Sequence, residues 1–463
     1  MSGFGLIIAF IISIVVMIIA ISKYKIHPFL SIMGVSLVLG LIAGIPLINV
    51  TGPDGKITMG LAGVIGAGFS GTFTSIGIVI ILGALIGNIL EVTGAAFKLA
   101  ELVIMAVGSK RPELAVMIMG WVVSIPVFCD SGFVILNPIR KALARKTGAG
   151  GVAMTVALSA GLYASHVFIP PTPGPIAAAN TLGIGDNLLL VMGMGALVSV
   201  PALAGSYVYA LFIGKRVKSK EDLIIDETAQ SYEELVAGYG SLPGGFISLA
   251  PIIIPILLMA LGSIASMAKW SGALFQVSVF LGTPIIALAA GLFFAIWQLA
   301  ETQNMEKFYG ITNTTLEVTG PILFVTAAGG VLGRVIAVSG MVEYITSRSD
   351  ILADIGILFP FIIAAILKTA QGSSTVAITT TAGIMAPLTG AMGLASPVLS
   401  ALTVMAIGAG AMTVSHANDS YFWVVTNFGG MTPEQGYRTQ TAVTLVEGIC
   451  AAAGIWALSL FLR

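Results

Sequence analysis

Residues 110–146 read KRPELAVMIMGWVVSIPVFCDSGFVILNPIRKALARK. The apolar part, 113–139, is bounded by Lys110 and Arg111 on one side and by Arg140, Lys141, Arg145 and Lys146 on the other. Lysine and arginine beside a hydrophobic segment are retained on the cytoplasmic side of a membrane, so both ends face one compartment. Midway stands Pro126-Val-Phe-Cys-Asp-Ser-Gly132, a run that breaks a helix and carries a charge. A segment that enters the bilayer, turns at a break and leaves on the side it came from satisfies these observations. Two short crossings are the competing reading.

The rest of the chain supplies the membrane context. Its 463 residues are 57% apolar and only 9% charged, with 56 glycines, zero net charge and a mean hydropathy of +1.02. A soluble chain carries roughly 25% charged residues, so this surface is not built for water. Zero net charge gives no footing for nucleic acid. Cys129 and Cys450 lie far apart in apolar segments and suggest neither a disulfide framework nor a metal site, and nothing implies a cofactor. The first apolar run, 4–22, lacks a basic leader and a small-residue cleavage site, which makes it an anchor. Lys23 and Lys25 follow it and place the N-terminus outside.

Apolar spans recur at 4–22, 28–48, 74–92, 151–182, 187–213, 246–267, 272–298, 320–338, 396–426 and 441–462, giving ten candidate crossings. A second interrupted segment, 351–388, breaks at Gln371-Gly-Ser-Ser-Thr375. Between 215 and 234 lie four basic and six acidic residues, which mark a cytoplasmic linker, 215–245. It separates halves 1–214 and 246–463. Gly83, Gly87, Val92 and Gly94 align with Gly329, Gly333, Val338 and Gly340 at one offset, and Ser165-His166 aligns with Ser415-His416. Five crossings separate equivalent positions, and an odd number reverses orientation. The expected fold is therefore an all-α integral membrane protein of about ten transmembrane helices and two re-entrant hairpins, arranged as two inverted-topology repeats. The first repeat holds a cytoplasmic-side hairpin at 113–139 and a broken helix at 151–182; the second holds an external-side hairpin at 351–388 and a broken helix at 396–426.

Four interruptions concentrate the polar residues: Cys129-Asp130-Ser131-Gly132, the run Ser165-His166 to Pro175 that includes Thr172, Gln371-Gly372-Ser373-Ser374-Thr375, and Ser415-His416-Ala417-Asn418-Asp419-Ser420. Broken helices at membrane depth expose backbone donors, and hydroxyls, amides and half-helix N-termini suit a carboxylate and its neighbouring hydroxyls. No phosphate loop, nucleophile elbow or metal spacing is apparent. Charged residues inside apolar segments cost about 2.5–3.5 kcal/mol each on insertion scales and call for a reason. They include Glu91 and Arg334, which read as structural, and Lys368, which either caps a half-helix or faces an anionic substrate. Asp130, Asp419 and His166 are candidates for proton coupling. A carboxylate that binds Na⁺ would instead stay ionised, and both histidines could serve as structural hydrogen-bonding groups.

At these breaks the chain resembles the gluconate:proton symporter family, the gluconate permeases, whose relatives also carry other sugar acids and D-serine. The similar segments are Phe128-Cys-Asp-Ser-Gly-Phe-Val134, Phe168-Ile-Pro-Pro-Thr-Pro-Gly-Pro175, Gly329-Gly330 with Val338-Ser-Gly340, Lys368-Thr-Ala-Gln-Gly-Ser-Ser-Thr-Val-Ala377 and Ser415-His-Ala-Asn-Asp-Ser-Tyr-Phe-Trp423. The resemblance implies the elevator-type ion-transporter fold, in which a transport domain moves against a scaffold, usually in a homodimer. It also implies proton-driven uptake of a sugar acid or similar hydroxy acid across a bacterial inner membrane. Gly372–Thr375 and the 415–419 loop would line the substrate site, with Asp130 at the first hairpin tip. The family pattern has His where Thr172 stands, often Arg for Lys368 and Glu for Asp130. A lysine does not reproduce arginine's bidentate grip on a carboxylate. A Na⁺-coupled carboxylate carrier and a D-serine or other hydroxy-acid permease are the alternatives within transport. The alternative of another class, a membrane-embedded enzyme, finds no catalytic set in the sequence.

Overall fold

A computed structural model describes residues 3–52, 55, 57–108, 110–223, 242–341, 344, 356–416 and 419–462. The first half runs α1 (Gly3–Ser22), α2 (Pro28–Ile42), α3 (Leu61–Val92), α4 (Ala95–Val107), α5 (Pro112–Val123), α6 (Cys129–Thr147), α7 (Gly151–Phe168), α8 (Pro173–Thr181), α9 (Leu188–Gly214) and a single turn, α10 (Lys220–Leu223). The second half runs α11 (Gly245–Met267), α12 (Gly272–Gly282), α13 (Pro284–Glu301), α14 (Phe308–Val338), α15 (Leu358–Gln371), α16 (Ser374–Met385), α17 (Pro397–Met412), α18 (Ser420–Phe428), the turn α19 (Pro433–Gly436) and α20 (Ala442–Phe461). The only strands among the described residues form a two-stranded ribbon pairing Val50–Thr51 with Ile57–Thr58.

Seven helical spans among the described residues are long and apolar enough to cross a bilayer, or eight when the bent α3–α4 pair is included. The ten expected crossings thus divide into long helices and pieces. The span at 272–298 is two helices separated at Thr283–Pro284, where proline starts the second. The crossings at 74–92 and 320–338 are the later parts of longer helices, α3 and α14. Helix α4, which hydropathy alone did not reveal, is bent 77° from α3 at Thr93–Gly94, with Gly94 in the left-handed region at φ 74°.

Helix length separates full spans from partial ones. At 1.5 Å per residue α5 and α16, 12 residues each, reach about 18 Å, short of the roughly 30 Å hydrocarbon core. Helix α5 packs on α6 across the break at 124–128, where Ser124 Oγ donates to the carbonyl of Val127 at 2.9 Å. Helix α15 packs on α16 across an elbow that Gly372 makes at φ 89°. The α7–α8 pair is interrupted at 169–172 and the α17–α18 pair at 413–419. Of the second interrupted segment, residues 351–355 lie outside the described residues, as do 224–241 of the linker.

Two layers of packing follow. Helices α3 and α14 lie along each other, flanked by α2 and α13, with α1 on α2 and α11 on α12 and α13. Behind them α5, α7 and α9 pack in series, as do α15, α17 and α20, and the two series meet through α7–α17 and α9–α20. Helix α6 touches α18, and α8 touches α16. Glycines permit the closest approaches: a Cβ at Gly333 of α14 would stand 2.5 Å from the Gly383 carbonyl of α16. One at Gly83 of α3 would stand 2.8 Å from the carbonyl of Pro171. Small residues at such crossings let backbones touch where lipid offers no hydrophobic drive.

Candidate functional site

Three helices begin at the same place. The N-termini of α6, α16 and α18 open onto one cavity of about 980 Å³, and each begins there because the sequence breaks the preceding helix. Their walls are Phe128, Cys129, Asp130 and Ser131 from α6, Gly372–Val376 from α16, and Asp419, Ser420 and Tyr421 from α18. Across the cavity stand α2, α3 and α14 with Pro28, Asn88, Glu91, Thr314 and Pro321. Exposed His27, Glu306 and Lys307 form its mouth, and buried Tyr163, His166 and Asp419 lie at its floor.

A helix start leaves its first amides without intrahelical partners and carries the positive end of the helix dipole. Here two of the three starts are capped by side chains. Ser373 caps α16 by accepting from the Val376 amide at 3.3 Å, and Ser374 and Thr375 follow on the cavity wall. Asp419 caps α18, accepting from the Tyr421 amide at 3.1 Å. Ser420 Oγ donates to Asp130 Oδ1 at 3.3 Å, which links α18 to α6. The carboxylate of Glu91 meets the Ser131 hydroxyl.

Beneath the cavity lies an ion pair. Lys368, fully buried, donates to Asp419 Oδ2 at 2.7 Å and to the Gly372 carbonyl, and Ser415 Oγ donates to the same Asp419 oxygen at 2.6 Å. The pair fastens the elbow between α15 and α16 to the break between α17 and α18. Nζ of Lys368 also lies 5.7 Å from the ring centroid of Tyr163. His416 Nε2 is 3.0 Å from the Thr369 carbonyl and makes a second tie between the same two breaks.

Of the residues singled out in the sequence, Asp130, Ser131, His166, Gly372, Ser373, Ser374, Thr375 and Asp419 line the cavity. Lys368, Ser415 and His416 lie behind it and hold the breaks together. The Ser165 hydroxyl is buried with no hydrogen-bond partner among the described residues, and Thr172 donates to the Ile169 carbonyl at 2.6 Å inside the α7–α8 break. Asn418 lies outside the described residues. Arg334 sits on α14 beside Gly68 of α3, away from the cavity.

Sequence reasoning missed Asn88, Tyr163, Ser420 and Tyr421 as wall residues and took Glu91 as structural. Ser420 and Tyr421 continue the Asp419 motif and were within reach of that signal. Asn88 and Tyr163 lie one helical turn before Glu91 and His166, on the same helix faces, so their signal was the helical period rather than a motif. Asn88 donates to Thr315 Oγ1 at 2.8 Å, joining α3 to α14 at the wall.

With this geometry in hand, the comparisons with known proteins are specific. Residues 5–461 match the description "GntP family permease". An uncharacterized permease of Haemophilus influenzae is 32% identical over 92% of this chain and 87% of its own length. The gluconate permease of Pseudomonas aeruginosa is 28% identical over 98% of this chain and 97% of its own. Among solved structures, the YdaH transporter of Alcanivorax borkumensis superposes with a TM-score of 0.63 at 18% identity, covering 94% of this chain and 97% of that one. At that identity the likeness concerns the fold.

Proposed function

The chain belongs to the GntP family of permeases, and from that premise we propose that it is a secondary transporter for proton-coupled uptake of a small hydroxylated carboxylic acid, gluconate or a related sugar acid. The observation that carries this reading is the convergence of three half-helix N-termini on one cavity, with Ser131, Ser373, Ser374, Thr375 and Ser420 among the residues that build them. Backbone donors and dipole ends receive a carboxylate, and hydroxyls exchange hydrogen bonds with those of the acid.

Charge supports a proton as the coupling ion. Glu91 and Asp130 face the cavity, while the buried lysine is taken by Asp419. A substrate carboxylate about 5 Å from either ionised acid is repelled by about 3 kcal/mol at an effective dielectric near 20. A proton on that acid removes the penalty, so substrate and proton bind best together. Asp130 is the acid we assign to this task, since it lines the cavity and accepts hydrogen bonds from the neutral Ser420 and Cys129, whereas Asp419 is held by Lys368, Ser415 and the Tyr421 amide.

The architecture we infer is a pair of inverted repeats, 1–214 and 246–463. Two pairs of contacts among the broken helices correspond under exchange of the halves: α6 with α18 answers α16 with α8, and α5 with α7 answers α15 with α17. The cavity lies between the α2–α3–α14 wall and the bundle of broken helices, where movement of one against the other exposes the site alternately. With Lys23, Lys25 and the 110–146 basic flanks in the cytoplasm of a bacterial cell, the mouth at His27 and Lys307 opens inward.

Proteoliposomes holding the purified protein test the proposal. Gluconate accumulation should follow an inward proton gradient and ignore Na⁺. Accumulation that follows Na⁺ and ignores pH would overturn the coupling, and failure of every sugar acid to exchange would overturn the substrate class.

A further inference from the structure

One carboxylic acid of the broken-helix bundle has no place in the site just described. Glu447, on α20, is fully buried, and neither of its oxygens has a hydrogen-bond partner among the described residues. Its surroundings offer no counter-charge. Helices α9 and α17, which pack on α20, contain no acidic or basic residue, only Tyr207 and Tyr209; α7 contributes Tyr163 and His166, α15 Lys368, already bound to Asp419, and the turn leading into α20 carries Arg438, which is exposed. The titratable groups that bear on it are Tyr421 of α18 and Cys450 of its own helix, neither of them cationic. An ionised carboxylate taken from water without a partner costs several kcal/mol, so this arrangement accommodates Glu447 only as the neutral acid.

Polar groups lie between it and the cavity without reaching its carboxyl. Asp419, on the cavity floor, accepts from Ser415 Oγ at 2.6 Å; the Ser415 amide donates to Thr444 Oγ1 at 3.0 Å; Thr444 precedes Glu447 by one helical turn. The helix leading into α20 is widened at Tyr437–Thr441 into a π-turn, a local deformation that recurs at functional sites. Within it Gln440 accepts from Ser159 Oγ of α7 at 2.6 Å, and its amide nitrogen has no partner among the described residues. Gly448, the next residue, lies against Thr413 at the end of α17, so Glu447 sits beside the break whose far end is Asp419.

We propose that Glu447 is a proton-binding site of the transport bundle: it takes up a proton that enters from the cavity when the site faces the side of higher proton concentration, and returns it to water when the site faces the other. The transferred proton forms one O–H bond on the Glu447 carboxyl and breaks it on release, with no other change in bonding. The inference rests on the proton-coupled reading above.

The test compares wild type with Glu447→Gln in proteoliposomes, using gluconate as the probe. Wild type should accumulate gluconate about tenfold per unit of imposed pH difference for each proton carried. E447Q should carry one proton fewer, so its accumulation should fall about tenfold per unit of pH difference, and its counterflow exchange should keep only the pH dependence that Asp130 supplies. If wild type itself ignores the pH gradient, the coupling reading fails; if wild type responds and E447Q accumulates equally with the same pH profile, the assignment of Glu447 fails. Should E447Q not yield folded protein, Glu447→Asp replaces it. A displaced pH profile, with a shifted infrared band of a protonated carboxyl that responds to gluconate, supports the site, and an unchanged profile and band overturn it.

Discussion

Replacing Lys368 by methionine leaves Asp419 as a buried carboxylate with no cation beside it. The distance of 2.7 Å and side-chain exposures of 0% and 7% make this a desolvated pair. At an effective dielectric near 20 the direct attraction is about 6 kcal/mol. Part of that is offset, because the cost of burying the ammonium disappears with it, and Asp419 keeps the Ser415 hydroxyl and the Tyr421 amide. A net loss of about 3–5 kcal/mol is expected. Asp419→Asn should be comparably damaging, since it strands the ammonium with only the Gly372 carbonyl. The double variant K368M/D419N removes both charges, and asparagine can still cap α18, so it should lose less than either single variant. The assay is thermal unfolding of purified protein in detergent, read as the fraction remaining monodisperse after heating. A double variant at least as unstable as the worse single one, or an unperturbed K368M, would refute the view that this pair fastens the two breaks.

Three further outcomes are expected. Asp130→Asn should flatten the pH dependence of gluconate uptake while leaving the protein folded, which proteoliposome uptake across a pH series reads directly. Ser374→Ala removes a hydroxyl from the cavity wall and should weaken binding by about 1 kcal/mol, seen as a several-fold rise in the gluconate concentration for half-maximal thermal stabilisation. Gly333→Val inserts a side chain where a Cβ would already meet the Gly383 carbonyl at 2.5 Å, and should destabilise by about 1–3 kcal/mol, whereas Gly310→Ala, with open space around it, should be close to neutral in the same melting assay.

Much of the site was legible because membrane helices leave few reasons for polar residues. Asp130, the Gly372–Thr375 run and Asp419 stood out against apolar surroundings, and all reach the cavity. The limits of that reasoning are instructive. Lys368 and Asp419 are 51 residues apart, and nothing local says that one neutralises the other; their pairing makes Lys368 a fastener behind the site rather than a wall residue. Glu91 looked like a span-end charge because α3 ends at Val92, yet the packing of α3 against α14 turns it into the cavity.

The sequence by itself determined that this is a helical membrane protein, where its helices break, and which polar residues gather at the breaks. Those are local properties: hydropathy over about 20 residues and the chemistry of proline, glycine and hydroxyl side chains. Tertiary structure alone decided which breaks meet, which charges pair, and that Asn88, Glu91 and Tyr163 share one cavity while Glu447 stands apart from it, uncompensated. The physical reason is that an electrostatic environment is set by neighbours across helices, and in a bundle of similar apolar helices no local signal specifies which faces come together.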